Sequence, residues 1–249
     1  MIDIHCHLLP AVDDGPRTMA DAVQMARLAR EDGIDTIVVT PHQRHENWPN
    51  EDRDRLIAAF DELREAVGDT PRPLLGAEVA VDSELLDDLA APRNRAYILP
   101  LAGTRHLLIE FPWVKTATDP RSLVHELLLM DYVPIVAHPE RISWLASDPA
   151  TMRALVDRGA LVQITAMSVT GAFGRRAQAA CDRLLEEGLV HFVASDAHGA
   201  TSRPPAIAAA FARIAERHGE RTAASLRNPA FEAHDAIDLA AACARQGAP

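Results

Sequence analysis

Short apolar runs alternate with amphipathic stretches from one end of this chain to the other, and that alternation narrows the fold more than any other feature. A buried parallel strand reads as a β-branched or apolar run, and a crossover helix must follow before the next parallel strand can pair. Such runs fall at Ile2 to His7, Thr36 to Thr40, Leu74 to Val81, Leu107 to Phe111, Pro134 to His138, Leu161 to Thr165 and Phe192 to Ser195. Helical patterns fall at Thr18 to Asp32, Asp52 to Val67, Ser83 to Leu89, Arg121 to Met130, Pro149 to Arg158, Arg175 to Glu187 and Pro205 to His218, with a last one near Phe231 to Arg245. Gly33, Gly159, Gly188 and Gly219 each stand just past a helical run, where a left-handed cap favours glycine. The chain has 249 residues with no low-complexity linker or shift in composition, so a single domain spanning 1–249 is expected. The phosphate fingerprints GxGxxG and GxxxxGK[ST] are missing, which disfavours an open doubly wound sheet. The expected architecture is α/β, a closed or distorted barrel of seven strands.

In parallel α/β folds the chemistry gathers at the C-terminal ends of the strands. Those ends are unusually polar here: His5-Cys6-His7, Thr40-Pro41-His42, Gly76-Ala77-Glu78, Ile109-Glu110-Phe111, Ala137-His138-Pro139 and Ser195-Asp196-Ala197-His198. Side chains alternate across a strand, so His5 and His7 share one face as a two-imidazole metal grip requires, and Cys6 is not expected to be a ligand. Asp196-x-His198 repeats the spacing at the last strand. This repetition points to metal rather than to an ordinary buried polar network. Imidazole and carboxylate without thiolate suit manganese, iron or zinc, and the number of donors exceeds one ion's needs. Two or three ions with a bridging carboxylate commonly activate water for phosphoryl transfer, so hydrolysis is the expected reaction. Arg141 follows His138 by three residues and Arg203 follows His198 by five, where planar guanidinium forks suit a phosphate oxyanion.

Charge and cysteine usage exclude other classes. The chain carries 36 acidic against 25 basic side chains, a formal charge of −11, which gives no footprint for a nucleic-acid backbone or an anionic membrane. Cys6, Cys181 and Cys243 are few, odd in number and far apart, which is not a disulfide framework. The start of the chain shows no basic segment leading into an apolar one, and nowhere do 18 apolar residues run together. A cytoplasmic protein without a membrane span is expected.

Taken together, His5-x-His7, Thr40-Pro41-His42, Gly76-Ala77-Glu78, Ala137-His138-Pro139-Glu140-Arg141 and Ser195-Asp196-Ala197-His198 resemble the polymerase and histidinol phosphatase (PHP) superfamily. Asp13-Asp14-Gly15-Pro16, Leu108-Ile109-Glu110-Phe111, Arg203-Pro204-Pro205 and Asn228-Pro229 make the chain similar to the capsule-type bacterial tyrosine-protein phosphatases within it. The resemblance implies a distorted seven-stranded TIM-like (β/α) barrel, the PHP fold, with a site for up to three divalent ions, Mn2+ first, with Fe, Zn or Mg as alternatives. It implies a first ion on His5, His7, Glu78 and Asp196, a second on Glu78, Glu110 and His138, and a third on Asp14, His42 and His198, with Glu78 bridging. Arg141 and Arg203 would hold the phosphate, and together with Asp196 and His198 they form the implied catalytic set. The implied substrate is phosphotyrosine on a bacterial tyrosine autokinase of capsule or exopolysaccharide export, attacked in line by a metal-bridged hydroxide. Ala80, Val81 and Ile142 stand where several relatives carry aromatic residues, so the aryl-binding wall is expected to differ.

No cysteine is followed by the Cys-x5-Arg spacing of cysteine-dependent phosphatases, which excludes that mechanism. The alternatives are a small-molecule phosphomonoesterase such as histidinol phosphatase, a nuclease, which the acidic chain disfavours, and a non-catalytic metal-dependent phosphopeptide-binding module. His45, in the loop Gln43 to Asn50 with Trp48, is weighed as a proton donor against a solvated loop histidine, and the solvated reading is preferred. His106, His125, His191, His218 and His234 read as structural or solvent-facing.

Overall fold

The computed structural model describes residues 1–69, 71–92 and 96–227. The helix expected near Phe231 to Arg245, the Asn228-Pro229 element, His234 and Cys243 lie outside the described residues. The described strands are β1 (Ile2–Cys6), β2 (Thr36–Val39), β3 (His42–Gln43), β4 (Arg72–Leu75), β5 (Glu78–Ala80), β6 (His106–Glu110), β7 (Val133–Ala137), β8 (Leu161–Thr165) and β9 (Phe192–Ala194). They form two sheets, ordered β1-β2-β4 and β3-β5-β6-β7-β8-β9, and every pairing is parallel.

Seven strands were expected and nine are seen among the described residues, because the expected Leu74 to Val81 strand divides into β4 and β5, and a further short strand, β3, follows the expected Thr36 to Thr40 run. Pro41 has no N–H to give a ladder and separates β2 from β3. At Gly76, between β4 and β5, a Cβ would come within 2.8 Å of the Leu101 side chain and 3.0 Å of its Cα, so glycine is needed for that close approach. The interruptions have a functional result: β3 and β5 open a new register in which His42 lies directly beside Glu78. The β1 end of the smaller sheet meets the segment after β9 through a bridge between Cys6 and Ala197. There the His7 amide donates to the Ala197 carbonyl (2.9 Å) and the Asp196 amide to that of His5 (2.8 Å).

Alternation along the strands divides the apolar side chains between two clusters. Ile37, Val39, Leu107, Ile109, Val162, Ile164 and Val193 belong to the larger cluster, which the helices share. Ile4, Val38, Leu74, Leu108, Ile135 and Phe192, drawn from both sheets, make the smaller one. Each such side chain contributes about 2 kcal/mol on burial, so the floor below the polar strand ends is firmly packed. The β1–β2 register skips one residue between Asp3 and Cys6, a bulge that places Ile4 in the smaller cluster and still lets His5 reach the polar residues above it.

The helices form where their caps and apolar spacing dictate. Thr18, Asp52, Asp119 and Asp148 accept first-turn N–H groups of the helices Met19–Glu31, Arg53–Val67, Pro120–Leu129 and Pro149–Val156. The helix Arg175–Glu186 buries Ala177, Ala180, Cys181, Leu184 and Leu185 and leaves Arg176 and Arg183 exposed. The helix Ala208–His218 buries Ala210, Phe211 and Ile214 against the core. Asp182 ties these two helices together, accepting both Arg213 Nη atoms (2.7 and 2.9 Å) and lying 3.2 Å from His218 Nε2.

The Arg213 fork outweighs partial burial and holds the Asp182 carboxyl down at about 2. A carboxyl depressed in the folded state stabilises above its unfolded value near 3.8 and loses that contribution as pH falls through about 2. Asp182→Asn is therefore expected to cost about 1 kcal/mol at pH 7, discounted for the solvent around the pair. Urea unfolding should show that difference shrinking below about pH 4.

Candidate metal centre

The polar strand ends converge. His5 lies in β1 and His7 just beyond it, His42 opens β3, Glu78 opens β5, Glu110 ends β6 and His138 follows β7. Asp196 and His198 follow β9, and Asp14 comes from the loop after β1. His5, His7, His42, Glu78, Glu110, His138 and Asp196 are all buried, whereas Asp14 is exposed. Two of these residues, His138 (φ 32°) and Asp196 (φ 51°), hold left-handed backbone that a non-glycine residue seldom adopts.

Glu78 is the hub. Its Oε1 lies 2.9 Å from His138 Nε2 and 3.3 Å from His5 Nε2, and its Oε2 lies 3.0 Å from His42 Nδ1 and 3.4 Å from His7 Nε2. Glu110 is 3.7 Å from His138. Asp14 Oδ1 approaches His198 Nε2 at 3.2 Å and His42 Nε2 at 3.5 Å. Donor atoms fall into overlapping groups: His5, His7 and Asp196; His5, Glu78 and His138; His42, Glu78 and Glu110; and His7, Asp14, His42 and His198.

The protonation pattern around His5 and His7 tests whether cations fit here. His5 Nδ1 donates to Gln163 Oε1 (3.0 Å) and His7 Nδ1 donates to Asp13 Oδ2 (2.8 Å). In neutral rings that leaves both Nε2 atoms as lone-pair acceptors, yet they face each other at 3.2 Å. Two opposed lone pairs, with carboxylates around them, suit a shared cation between them. His138 Nδ1 is also buried without a hydrogen-bond partner among the described residues. Electrostatics favour positive charge at this point: burial would lower the His5 imidazole, but Glu78 and Asp196 pull it up to about 9, and the same attraction from His5 and His42 holds the Glu78 carboxyl well below the usual range, so a cation between the two rings would take the place of a ring proton. Glu110 moves the other way, pushed up by burial and by Glu78 beside it.

Asp196 links this cluster to the arginines. Its Oδ1 faces His5 and His198 Nδ1 (both 3.6 Å), and its Oδ2 accepts from Arg141 Nη1 (2.5 Å) and pairs with Arg203 Nη2 (2.6 Å). Arg203 is held because its carbonyl accepts the amides of His198 and Gly199. Burial alone would raise the Asp196 carboxyl, but the neighbouring histidines and Arg203 hold it far below the ordinary range. The guanidinium of Arg141 lies 4.5 Å from the centre of the Phe173 ring and 5.3 Å from that of Trp113.

Four residues near the centre had no role in the sequence reading: Asp13, Gln163, Trp113 and Phe173. The signal for Gln163 was a polar residue between Val162 and Ile164 in a strand. Asp13 hides beside Asp14, and its second oxygen accepts the Gly15 amide (3.0 Å) while Oδ2 also accepts the His42 amide (3.0 Å). All three bonds need an acceptor, so Asp13→Asn must lose one. Residues that orient ligands typically change metal affinity by about 10- to 100-fold, and that loss is expected for Asp13→Asn in a manganese titration.

The remaining histidines are dispersed. His106 is buried beside Thr104 Oγ1, His191 Nδ1 accepts the Val162 amide, His218 pairs with Asp182, and His125 is exposed. His45 is not the freely solvated residue expected. Its ring is half-buried against His42 (4.9 Å) and Trp48 (4.8 Å), and its Nδ1 accepts the Asn47 amide. Cys6 is fully buried in the larger apolar cluster, and burial pushes its thiol well above the ordinary range. Among the described residues no helix is long and apolar enough to cross a membrane.

Comparison with known proteins agrees with this geometry. Residues 1–231 match the family described as capsular polysaccharide synthesis, CpsB/CapC. The chain is 41% identical over 206 residues to the tyrosine-protein phosphatase YwqE of Bacillus subtilis, covering 82% of this chain and 79% of that protein. It is 30% identical over 234 residues to the tyrosine-protein phosphatase CpsB of Streptococcus pneumoniae, covering 91% and 94%. Among solved structures it superposes with a TM-score of 0.84 and 38% identity on a chain from work on YwqE from Bacillus subtilis and CpsB from Streptococcus pneumoniae, described as metal-dependent tyrosine phosphatases, over 91% of both chains. A lactonase from Listeria monocytogenes shares the fold alone, with a TM-score of 0.58 and 13% identity over 90% of this chain and 91% of that one.

Proposed function

Because the chain belongs to the CpsB/CapC family of capsular polysaccharide synthesis, we propose that it is a metal-dependent protein-tyrosine phosphatase. The observation that carries this reading is the opposed pair of His5 and His7 Nε2 atoms, 3.2 Å apart beside Glu78 and Asp196, next to two arginines. His5, His7, Asp14, His42, Glu78, Glu110, His138, Asp196 and His198 would hold up to three divalent ions, manganese first, with Glu78 shared between them. Bound ions would lower the pKa of water and offset the charge of a phosphoryl group.

The chain's own residues supply the rest. Asp13 and Gln163 fix the His5 and His7 tautomers, so that both Nε2 atoms face inward. Arg141 and Arg203, now gathered on one Asp196 oxygen, are placed to turn to phosphate oxygens and to stabilise charge that develops during transfer. The phenolate of tyrosine leaves readily, and no nucleophilic side chain is required. The Cys6 side chain is buried among apolar residues and plays no part.

The same reading takes residues 1–249 as one domain, with the two sheets as parts of a distorted barrel around their shared apolar cluster. It places the protein in the cytoplasm, acting on a tyrosine autokinase of capsule or exopolysaccharide synthesis. The test is phosphate release by manganese-loaded protein from a tyrosine-phosphorylated peptide, with histidinol phosphate in parallel. Turnover of the peptide supports the proposal, whereas turnover of histidinol phosphate alone would make it a small-molecule phosphatase on the same site. Tight phosphopeptide binding with no turnover would make it a binding module.

A further inference from the structure

Beside Arg141 a cavity of about 780 Å³ extends away from the ligand cluster, and nothing in the hydrolytic step uses it. Trp113 and Phe173, which flank the Arg141 guanidinium, line it, as do Arg176 and Arg183 of one helix. Small side chains, Ser143, Ala146 and Ala177, also line it and leave it open. We infer that this cavity is a subsite for an extended protein segment that carries carboxylate side chains next to the phosphorylated tyrosine. The inference rests on the phosphatase reading above and names the kind of sequence that reading would act on.

Charge complementarity carries it. The chain has a formal charge of −11, yet three arginines line this one cavity. The lining acid, Glu140, is buried and accepts the Thr165 amide at 3.0 Å. Arg176 is exposed, and its side chain has no ion pair or hydrogen bond among the described residues. Arg183 is anchored by donating to the Ala146 carbonyl (2.7 Å), which fixes its guanidinium at the cavity wall. The two lie seven residues apart on one helix, a rise of about 10 Å. An extended peptide covers that distance in about three residues.

The cavity is continuous with the reacting end, because Arg141 both lines it and lies 2.5 Å from Asp196. A phosphoryl group held by Arg141 would leave the flanking peptide at the cavity mouth. The rim there is apolar and exposed: Trp113 is 51% and Val114 78% accessible. That rim is also fixed in place, since Trp144 Nε1 donates to the Pro112 carbonyl at 2.9 Å. A fixed apolar rim beside the unpaired Arg176 and the wall-anchored Arg183 suits a peptide with an aromatic residue at the site and acids along its neighbours.

The test compares phosphotyrosine peptides flanked by glutamates or by alanines, with p-nitrophenyl phosphate as a substrate too small to reach the cavity. Arg176→Glu should lower kcat/KM for the glutamate-flanked peptide about tenfold, mainly through KM. It should leave p-nitrophenyl phosphate turnover unchanged. An equal loss on all three substrates, or no loss on the glutamate-flanked peptide, would overturn the inference. Fluorescence anisotropy with the same two peptides, built on a non-hydrolysable phosphonate in place of phosphotyrosine, separates this from the phosphatase reading. If no aryl phosphate is hydrolysed, the phosphatase reading fails. Stronger binding of the acidic phosphonate that Arg176→Glu abolishes would still uphold the subsite, and equal binding of the two would reject it.

Discussion

Replacing Glu78 by glutamine is expected to lower kcat on a phosphotyrosine peptide by at least about 1000-fold and to strip bound metal. Both oxygens of this carboxylate are engaged, each approached by two imidazoles between 2.9 and 3.4 Å. The amide of glutamine keeps the size and loses the charge, and one of its ends presents N–H donors to ring nitrogens whose lone pairs must stay free of donors to hold a cation. The backbone should hold, because the Glu78 amide donates to the Pro41 carbonyl and the strand pairs with β3 and β6 whatever the side chain. Metal content by mass spectrometry and a circular dichroism melt would separate loss of the centre from loss of the fold. A folded variant that retained full metal and activity would remove Glu78 from the centre.

Asp196 is expected to rank next, with a loss of similar order, and here the choice of substitution matters. Its φ of 51° lies in the left-handed region, which asparagine tolerates and alanine resists by about 1 kcal/mol. Asp196→Asn should therefore melt near the native protein, whereas Asp196→Ala should melt lower, with both inactive. Neither variant offers a carboxylate to Arg141 and Arg203, which now share one Asp196 oxygen at 2.5 and 2.6 Å. Freed of that partner, the two guanidiniums should bind inorganic phosphate more tightly than in the native protein. Calorimetric titration with phosphate would show this, and weaker binding in both variants would contradict the shared role assigned to the arginines.

Much of the site was legible because ligand chemistry leaves a pattern. Metal donors are a short list of residue types, and parallel strands bring their C-terminal ends together, so His5, His7, His42, Glu78 and His138 stood out by position. What was hidden lacks a pattern. Asp13 and Gln163 act on His7 and His5 through a single hydrogen bond each, from a loop and from the middle of a strand. Phe173 and Trp113 flank Arg141 but lie 32 and 28 residues away from it in the chain. The fold was legible at the same level. Alternation gave the parallel strands and helices, whereas the break at Gly76 depends on Leu101, a contact that no local reading contains. The bulge in β1 was equally out of reach, since strict alternation would have set Ile4 on the face opposite His5.

If these strand ends form a metal centre that cleaves phosphotyrosine, turnover must follow the metal. Phosphate release from a phosphotyrosine peptide should be measured before chelation, after exhaustive chelation, and after return of manganese, with metal content determined on each sample. Activity is expected to fall to background with the metal and to return with manganese, and Glu78→Gln to stay inactive throughout. Undiminished turnover in protein shown to be free of metal would contradict this dependence.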